Sequence, residues 1–394
     1  MTDNTGIAVI GAGKTGRGFI GRLLAESGLG FYLIDRNREL IEKLRDAGHY
    51  EVGFFGNSRE PVRVTDYVVT HSGDPCLGDI LKDARLIFIS VGGTHITEVA
   101  QWLARLCSMR IGERIEACSV ILCENASNPA LAFRQAFLTS LKEEERPKAG
   151  TLFGFSEATV FCTTIESIRN PLDIQSEDYP FLQCSAETLK ANLPSVKGLM
   201  PLNDFENFLI RKIYTYNAAS AAISYLGWLK GYSVYSDAAN DPDILLLLDQ
   251  LYLEVGKAMC AEYGYDAEDQ REFAAPSLIK FRNRTIQDTI ARNTREPHRK
   301  LAINERIIGP ALLIQKHGGD VGPLAMTAAA ALLYEDEDDL EWNTLQKENG
   351  PAAILEKVSE LHRASELTVQ IMDKYEELKG KYTGMPNWRK NTDP

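Results

Sequence analysis

Three polar side chains, Lys212, Asn217 and Ser220, interrupt a stretch that otherwise reads as a buried helix, IRKIYTYNAASAAISYLG at 210–227. Ile210, Ile213, Tyr214, Ile223 and Leu226 supply its apolar face, and Ala218, Ala219, Ala221 and Ala222 leave room for close neighbours. On an α-helix Asn217 and Ser220 are neighbours. Lys212 and Ser220 lie two turns apart there, about 80° around the axis. An amine withdrawn from water has a lowered pKa and accepts a proton near neutral pH. An amide N–H nearby stabilises an oxygen that gains negative charge. The alternative is a lysine that snorkels to solvent and a carboxamide satisfied in the core.

What such a base would serve depends on a second motif. Gly11-Ala12-Gly13-Lys14-Thr15-Gly16 is G-x-G-x-x-G, placed after the strand-like GIAVIG (6–11) and opening the helical GRGFIGRLLAES (16–27). In that setting Gly11 permits the tight turn, Gly13 admits a pyrophosphate close to the backbone, and Gly16 lets helix and strand pack closely. The pyrophosphate would rest on free N–H groups at the helix start. Asp35 ends the second strand, FYLID (31–35), 19 residues after Gly16. A carboxylate there accepts an adenosine ribose and repels a 2′-phosphate, so NAD is expected over NADP. Arg36 is the one feature that partly favours the phosphate. Gly92 and Gly93 either let backbone approach a nicotinamide ribose or are ordinary turn glycines. With a nicotinamide nearby, the polar trio suits oxidation of an alcohol without a metal: Lys212 takes the hydroxyl proton as hydride leaves carbon.

A third cluster is RNTREPHRKL (292–301), which gathers Arg292, Arg295, His298, Arg299 and Lys300. Forked guanidinium donors suit phosphate or carboxylate. The cluster is read either as an anion site, with Arg295, Arg299 and Lys300 as its donors, or as a solvated helix start paired to surface acids. Of the remaining candidates, His95 reads as structural, Tyr214 and Tyr216 as packing residues, and Glu124 as lining a pocket or pairing with a base.

The elements that must position these groups alternate in type. After the first two strands come helical RELIEKLRDAG (38–48), strand ARLIFISVGG (84–93), helical ITEVAQWLARLCSM (96–109) and strand CSVILCEN (118–125). Nearly continuous apolar strands alternating with helices predict an α/β doubly wound, mostly parallel sheet. KEEERPKAG (142–150) reads as a surface connection, and the sheet is expected to continue through TLFGFSEATVFCTTI (151–165). From about Leu202 the pattern is helical, with a start at Asn240-Asp241-Pro242. Two domains are expected: a Rossmann domain with an extension over 1–195 and a mainly α-helical domain over 196–394.

Composition bounds the partners. The 394 residues carry 43 Lys and Arg against 55 Asp and Glu, a net charge of -12, which argues against a general nucleic-acid binder. No apolar run is long enough to span a membrane, and the N-terminus lacks the features of a signal peptide. Seven cysteines without a C-x-x-C pair suit reduced thiols in a cytoplasm, and six scattered histidines make a zinc site unexpected.

The chain resembles the polyol-specific long-chain dehydrogenase (mannitol dehydrogenase) family. The resemblance is carried by GAGKTGRGFIG (11–21), LCEN (122–125), NPLD (170–173), RKIYTYN (211–217), YLG (225–227), EYGYDAE (262–268), KFRN (280–283) and TREPHRKL (294–301). It implies a Rossmann domain followed by a helical domain, with the active site between them. It implies Lys212 as general base, and Asn217 and Asn125 as amides holding the substrate oxygen. The implied substrate is a sugar alcohol or its phosphate, interconverted with the ketose. Two positions depart from the family pattern. Ser220 stands where the family has a histidine, and Phe161 and Cys162 stand where an Asp-Arg pair is expected. A uronate or aldonate oxidoreductase of the same superfamily, or an NAD(H)-binding relative without turnover, are the alternatives. Substrate stereochemistry, direction and oligomeric state stay open.

Overall fold

A computed structural model describes residues 6–108, 111–112, 116–124, 128–190 and 192–382. The chain divides into two compact units, Met1–Glu206 and Asn207–Pro394. The first holds twelve strands among its described residues: β1 (Ile7–Ile10), β2 (Phe31–Asp35), β3 (Tyr50–Phe54), β4 (Val62–Val64), β5 (Tyr67–His71), β6 (Leu86–Ile89), β7 (Cys118–Leu122), β8 (Phe153–Thr159), β9 (Thr164–Glu166), β10 (Ile174–Ser176), β11 (Leu182–Ser185) and β12 (Leu199–Leu202).

Eight of them form one sheet in the order β12-β11-β8-β7-β6-β1-β2-β5. Every pairing is parallel except β11 with β8. The registry sets Val9 beside Leu33 and Phe88. Strand side chains alternate between faces. Accordingly Ile7, Val9, Leu33 and Phe88 feed one apolar core, and Ala8, Ile10, Ile34, Ile87 and Ile89 feed the other. That double burial is why β1, β6 and β7 read as unbroken apolar runs. The chain reverses its spread at β1, between β2 and β6, the crevice where such sheets bind ligands.

Three expectations need correction. The first sheet continues through only part of 151–165: β8 ends at Thr159, and β9 joins a separate four-stranded sheet, β4-β3-β10-β9. Its strands are three to five residues long, too short to show a clear period. The segment 142–150 is not a bare connection but a turn at Glu143–Glu145 and a helix at Arg146–Leu152. Pro147 sits in that helix's first turn, where no N–H is needed. Finally, β12 lies beyond residue 195 yet belongs to the first sheet, so the first unit extends to Glu206.

The second unit is helical. Ala218–Leu229, Pro242–Tyr263 and Gly322–Leu333 supply much of its core, with Ala328–Ala331 packed without side-chain bulk. The Asn240-Asp241-Pro242 signal is met: the Asp241 carboxylate caps the N–H groups of Asp243 and Ile244, with Pro242 first in the helix. No described helix is long and apolar enough to cross a membrane.

Candidate active site

The glycine turn has the backbone its sequence requires. Gly11 adopts φ +103°, and a Cβ there would come within 1.9 Å of the Ser90 carbonyl oxygen. A Cβ on Gly16 would meet the Gly11 carbonyl oxygen at 1.9 Å. At Gly13 a Cβ would meet nothing within 4 Å, so this backbone faces open space at the start of the helix. Asp35 reads both ways along the chain: Oδ2 accepts the Ala12 N–H at 2.7 Å and Oδ1 accepts the Asn37 N–H at 2.8 Å. Each oxygen retains a lone pair for a ribose hydroxyl. Arg36 turns to other partners, 3.2 Å from His95 Nε2 and 3.8 Å from a Glu98 oxygen. The turn therefore suits a dinucleotide, whose pyrophosphate Gly13 and the helix start would hold and whose ribose Asp35 would meet.

Two arginines in the same helix were not singled out by the sequence analysis. Arg17 and Arg22 are both fully buried. Arg17 Nη1 donates to the Ala12 carbonyl, inside the glycine turn, and Nη2 donates to the Pro171 carbonyl at 3.1 Å. Arg22 donates to the Tyr179 carbonyl. Gly18 lets the small sheet come close, since a Cβ there would lie 2.2 Å from Ile174 Cγ2. The turn NPLD is thereby latched to the glycine turn. The available signal was two charged residues in an apolar run, GRGFIGRLL.

At the end of β7, Glu124 Oε1 accepts the N–H of Val91 at 2.5 Å and of Gly92 at 2.8 Å. Gly92 has φ +88°, a conformation that favours glycine. The carboxyl thus fixes the peptide after β6, at the crevice. Asn125, the next residue, lies outside the described residues. Burial raises the Glu124 pKa more than the two N–H groups and His95 lower it. Between its unfolded value, about 4.3 for a Glu, and its raised folded value, Glu124 binds more protons in the folded chain. Its contribution to stability is present at low pH and lost as pH rises through the folded value. Glu124→Gln cannot ionise. Its thermal midpoint relative to wild type should rise as pH increases from about 4.5 to about 7; a level or falling difference would contradict the burial argument.

In the second unit the polar trio is arranged differently from an α-helix. An α-helix at Phe205–Lys212 passes into a π-helical turn at Ile213–Asn217 and back into α-helix at Ala218–Leu229. The Ala218 N–H reaches the Ile213 carbonyl, five residues back. Such a turn takes in one extra residue. On an unbroken α-helix, Asn217 and Ser220 would stand about 140° and 80° from Lys212. The extra residue brings these offsets to about 40° and 20°, so the three share one face. Lys212 is 8% exposed, while Asn217 and Ser220 are half-buried. The Asn217 carboxamide has no hydrogen-bond partner among the described residues. The wide turn is held from the Ala267–Arg282 helix. Gln270 Nε2 donates to Thr215 Oγ1 at 3.1 Å, and Arg211 Nε donates to Gln270 Oε1 at 2.7 Å. Arg211 also pairs with Asp269 at 2.8 Å and stacks on Tyr265 and Phe273. Tyr214 packs on Gly309, and Tyr216 lies edge-on to Phe273 and Phe281, both as packing residues.

The basic segment divides under inspection. Arg292 pairs with Asp288 at 3.1 Å, and Arg299 with Glu296 at 2.6 Å and Glu305 at 3.3 Å. Lys300 is buried and donates to the Asn293 carbonyl at 2.6 Å; burial, with Arg306 and Arg299 nearby, lowers its pKa to about 7. Arg295 is exposed and has no ion-pair partner among the described residues. Tyr225 ties the segment to the Lys212 helix by donating to the Thr294 carbonyl at 3.0 Å. Phe161 and Cys162 are both buried within the first unit, the ring against Tyr179 and the thiol 3.1 Å from Ser176 Oγ.

A parallel sheet with a fitted glycine turn, joined to a helical unit bearing a buried lysine, defines a Rossmann-type dehydrogenase. The chain belongs to the mannitol dehydrogenase family: residues 5–198 match the mannitol dehydrogenase Rossmann domain and 204–379 the mannitol dehydrogenase C-terminal domain. It is similar to mannitol-1-phosphate 5-dehydrogenases. That of Anoxybacillus flavithermus is 29% identical over 92% of this chain and 97% of the relative, and that of Geobacillus stearothermophilus 29% over 94% and 98%. Its fold is that of Pseudomonas fluorescens mannitol 2-dehydrogenase, solved with NAD and D-mannitol (TM-score 0.74, 16% identity, 96% of this chain and 92% of that one). A D-sorbitol dehydrogenase shares it too (TM-score 0.76, 16% identity, 95% and 93%).

Proposed function

We propose that this chain is an NAD-dependent oxidoreductase that interconverts a phosphorylated sugar alcohol and its ketose, with Lys212 as general base. The observation that carries the reading is the wide turn, which sets a buried amine, a carboxamide without a partner among the described residues and a hydroxyl on one face. Lys212 removes the hydroxyl proton of the alcohol, or returns it to the ketose oxygen in reduction. Asn217 and Asn125 donate to that oxygen as charge develops on it. When bound, NAD supplies the acceptor for the hydride. Asp35, Gly11, Gly13, Gly16 and Gly92 form its binding surface. Ser220 meets a substrate hydroxyl, and Arg295, with Arg299 and Lys300, meets the phosphate. The similarity to curated mannitol-1-phosphate 5-dehydrogenases over nearly the whole chain supports the phosphorylated substrate.

The test is a panel of ketose phosphates, free ketoses and keto-uronates with NADH, followed at the nicotinamide absorbance. Oxidation of NADH by a hexulose phosphate is the expected result. Binding of NADH without turnover on the panel would overturn the reading in favour of a non-catalytic relative. Preference for a keto-uronate would point the basic segment at a carboxylate. Arg295→Ala should raise KM for the phosphorylated substrate roughly tenfold to a hundredfold, the range of one or two charge-assisted hydrogen bonds. The free ketose should be little affected. Arg299→Ala should act less on the phosphate, because its guanidinium is already balanced by Glu296 and Glu305.

A further inference from the structure

Ser220 is backed by a second hydroxyl. The Tyr235 side chain, 5% exposed, rises from the short helix Tyr235–Ala238 and places its phenol 3.0 Å from Ser220 Oγ. Its ring lies edge-on to Phe281, which leaves it little freedom to turn away. The Tyr235 backbone is fixed as well, since its N–H donates to the Asp288 carbonyl at 3.0 Å. On the helix side, Ser224 Oγ donates to the Ser220 carbonyl at 2.6 Å, so the two serines do not compete for the phenol.

The direction of the hydrogen bond follows from what is buried. A phenol is a better donor than an aliphatic alcohol, and Tyr235 has no other acceptor among the described residues. If Ser220 donated instead, the phenol proton would be left buried and unpaired, which is the costly arrangement. Burial also raises the Tyr235 pKa well above its usual value, keeping the proton on the ring oxygen. Ser220 Oγ therefore accepts from Tyr235. Its own proton then has no acceptor among the described residues, on the face it shares with Asn217 and Lys212.

We infer that Tyr235 is a positioning residue that fixes Ser220 as a hydrogen-bond donor to a substrate hydroxyl, forming a neutral pair. The inference rests on the proposed dehydrogenase function. A histidine can gain a proton and a charge near neutral pH. The Tyr235–Ser220 pair cannot, so the hydrogen bond it offers is independent of pH over that range.

Wild type, Tyr235→Phe, Ser220→Ala and the double variant should be compared for kcat and KM on the best substrate of the panel, together with NADH affinity by fluorescence. Ser220→Ala and Tyr235→Phe should each lower kcat/KM by roughly tenfold, with NADH affinity unchanged. In the Ser220→Ala background, Tyr235→Phe should cost almost nothing further, because the hydroxyl it orients is gone. Ser220→His should add a limb near pH 6.5 to the rate profile that wild type lacks. An equal loss from Tyr235→Phe in both backgrounds would show a merely structural tyrosine and overturn the assignment. An unchanged kcat/KM in Ser220→Ala would do the same. If wild type neither binds nor turns over any member of the panel, the functional reading fails, and this assignment falls with it.

Discussion

Replacing Lys212 by alanine is expected to lower kcat by about 10²–10⁴-fold, the range supplied by a positioned general base, while NADH affinity stays within about twofold. The position decides against a solvent-facing lysine, since it is 8% exposed within the described structure. Its neighbour cannot substitute. Arg211 is committed to Gln270 and Asp269, and a guanidinium does not accept a proton. For the same reason Lys212→Arg should be as inactive as the alanine variant, though it keeps the charge. A small primary amine added to the alanine variant should restore part of the rate. The cofactor turn belongs to the other unit, so unchanged NADH binding shows that unit intact, and far-UV circular dichroism checks the fold of the helical one. Near-normal turnover in Lys212→Ala would reject it as the base.

The residues behind this prediction were visible in the sequence, but their geometry was not. Lys212, Asn217 and Ser220 stand out because polar groups are conspicuous in an apolar run. Placing them required a helical period, and the period of 3.6 separates them. What unites them is one extra residue in a π-helical turn, held by Gln270 and Arg211, and Gln270 lies 55 residues from Thr215. The glycine turn was legible to the level of φ, because G-x-G-x-x-G fixes backbone conformation locally. The parallel sheet was legible because double burial leaves unbroken apolar runs. The four-stranded sheet escaped notice because its strands are short and come from two distant segments, 50–64 and 164–176. Charge counting in 292–301 found the basic segment but not its partition. Glu296 and Glu305 were in plain sight, yet only the fold shows that they take up Arg299 and leave Arg295 without an acidic partner among the described residues.

Arg17→Met is expected to lower the unfolding midpoint of the first unit by about 4–8 °C and to weaken NADH binding by roughly tenfold. The loss is not that of an ion pair. Glu166 is 55% exposed and stands 3.7 Å from the guanidinium, a pair worth at most about 1 kcal/mol. The larger part lies in the buried Ala12 carbonyl, which loses its donor, whereas the carbonyl of exposed Pro171 can turn to water. Such a group left unpaired costs about 2 kcal/mol, and methionine fills the apolar volume without replacing the bond. Ala12 also gives its N–H to Asp35, so freeing this residue loosens both the glycine turn and the Asp35 carboxylate, the two groups proposed to hold the cofactor. Glu166→Gln separates the two accounts, since it removes the charge and leaves both carbonyl bonds. It should shift the midpoint by no more than about 2–4 °C and leave NADH affinity unchanged. If Glu166→Gln proves as damaging as Arg17→Met, the ion pair and not the latch on the glycine turn holds the small sheet in place.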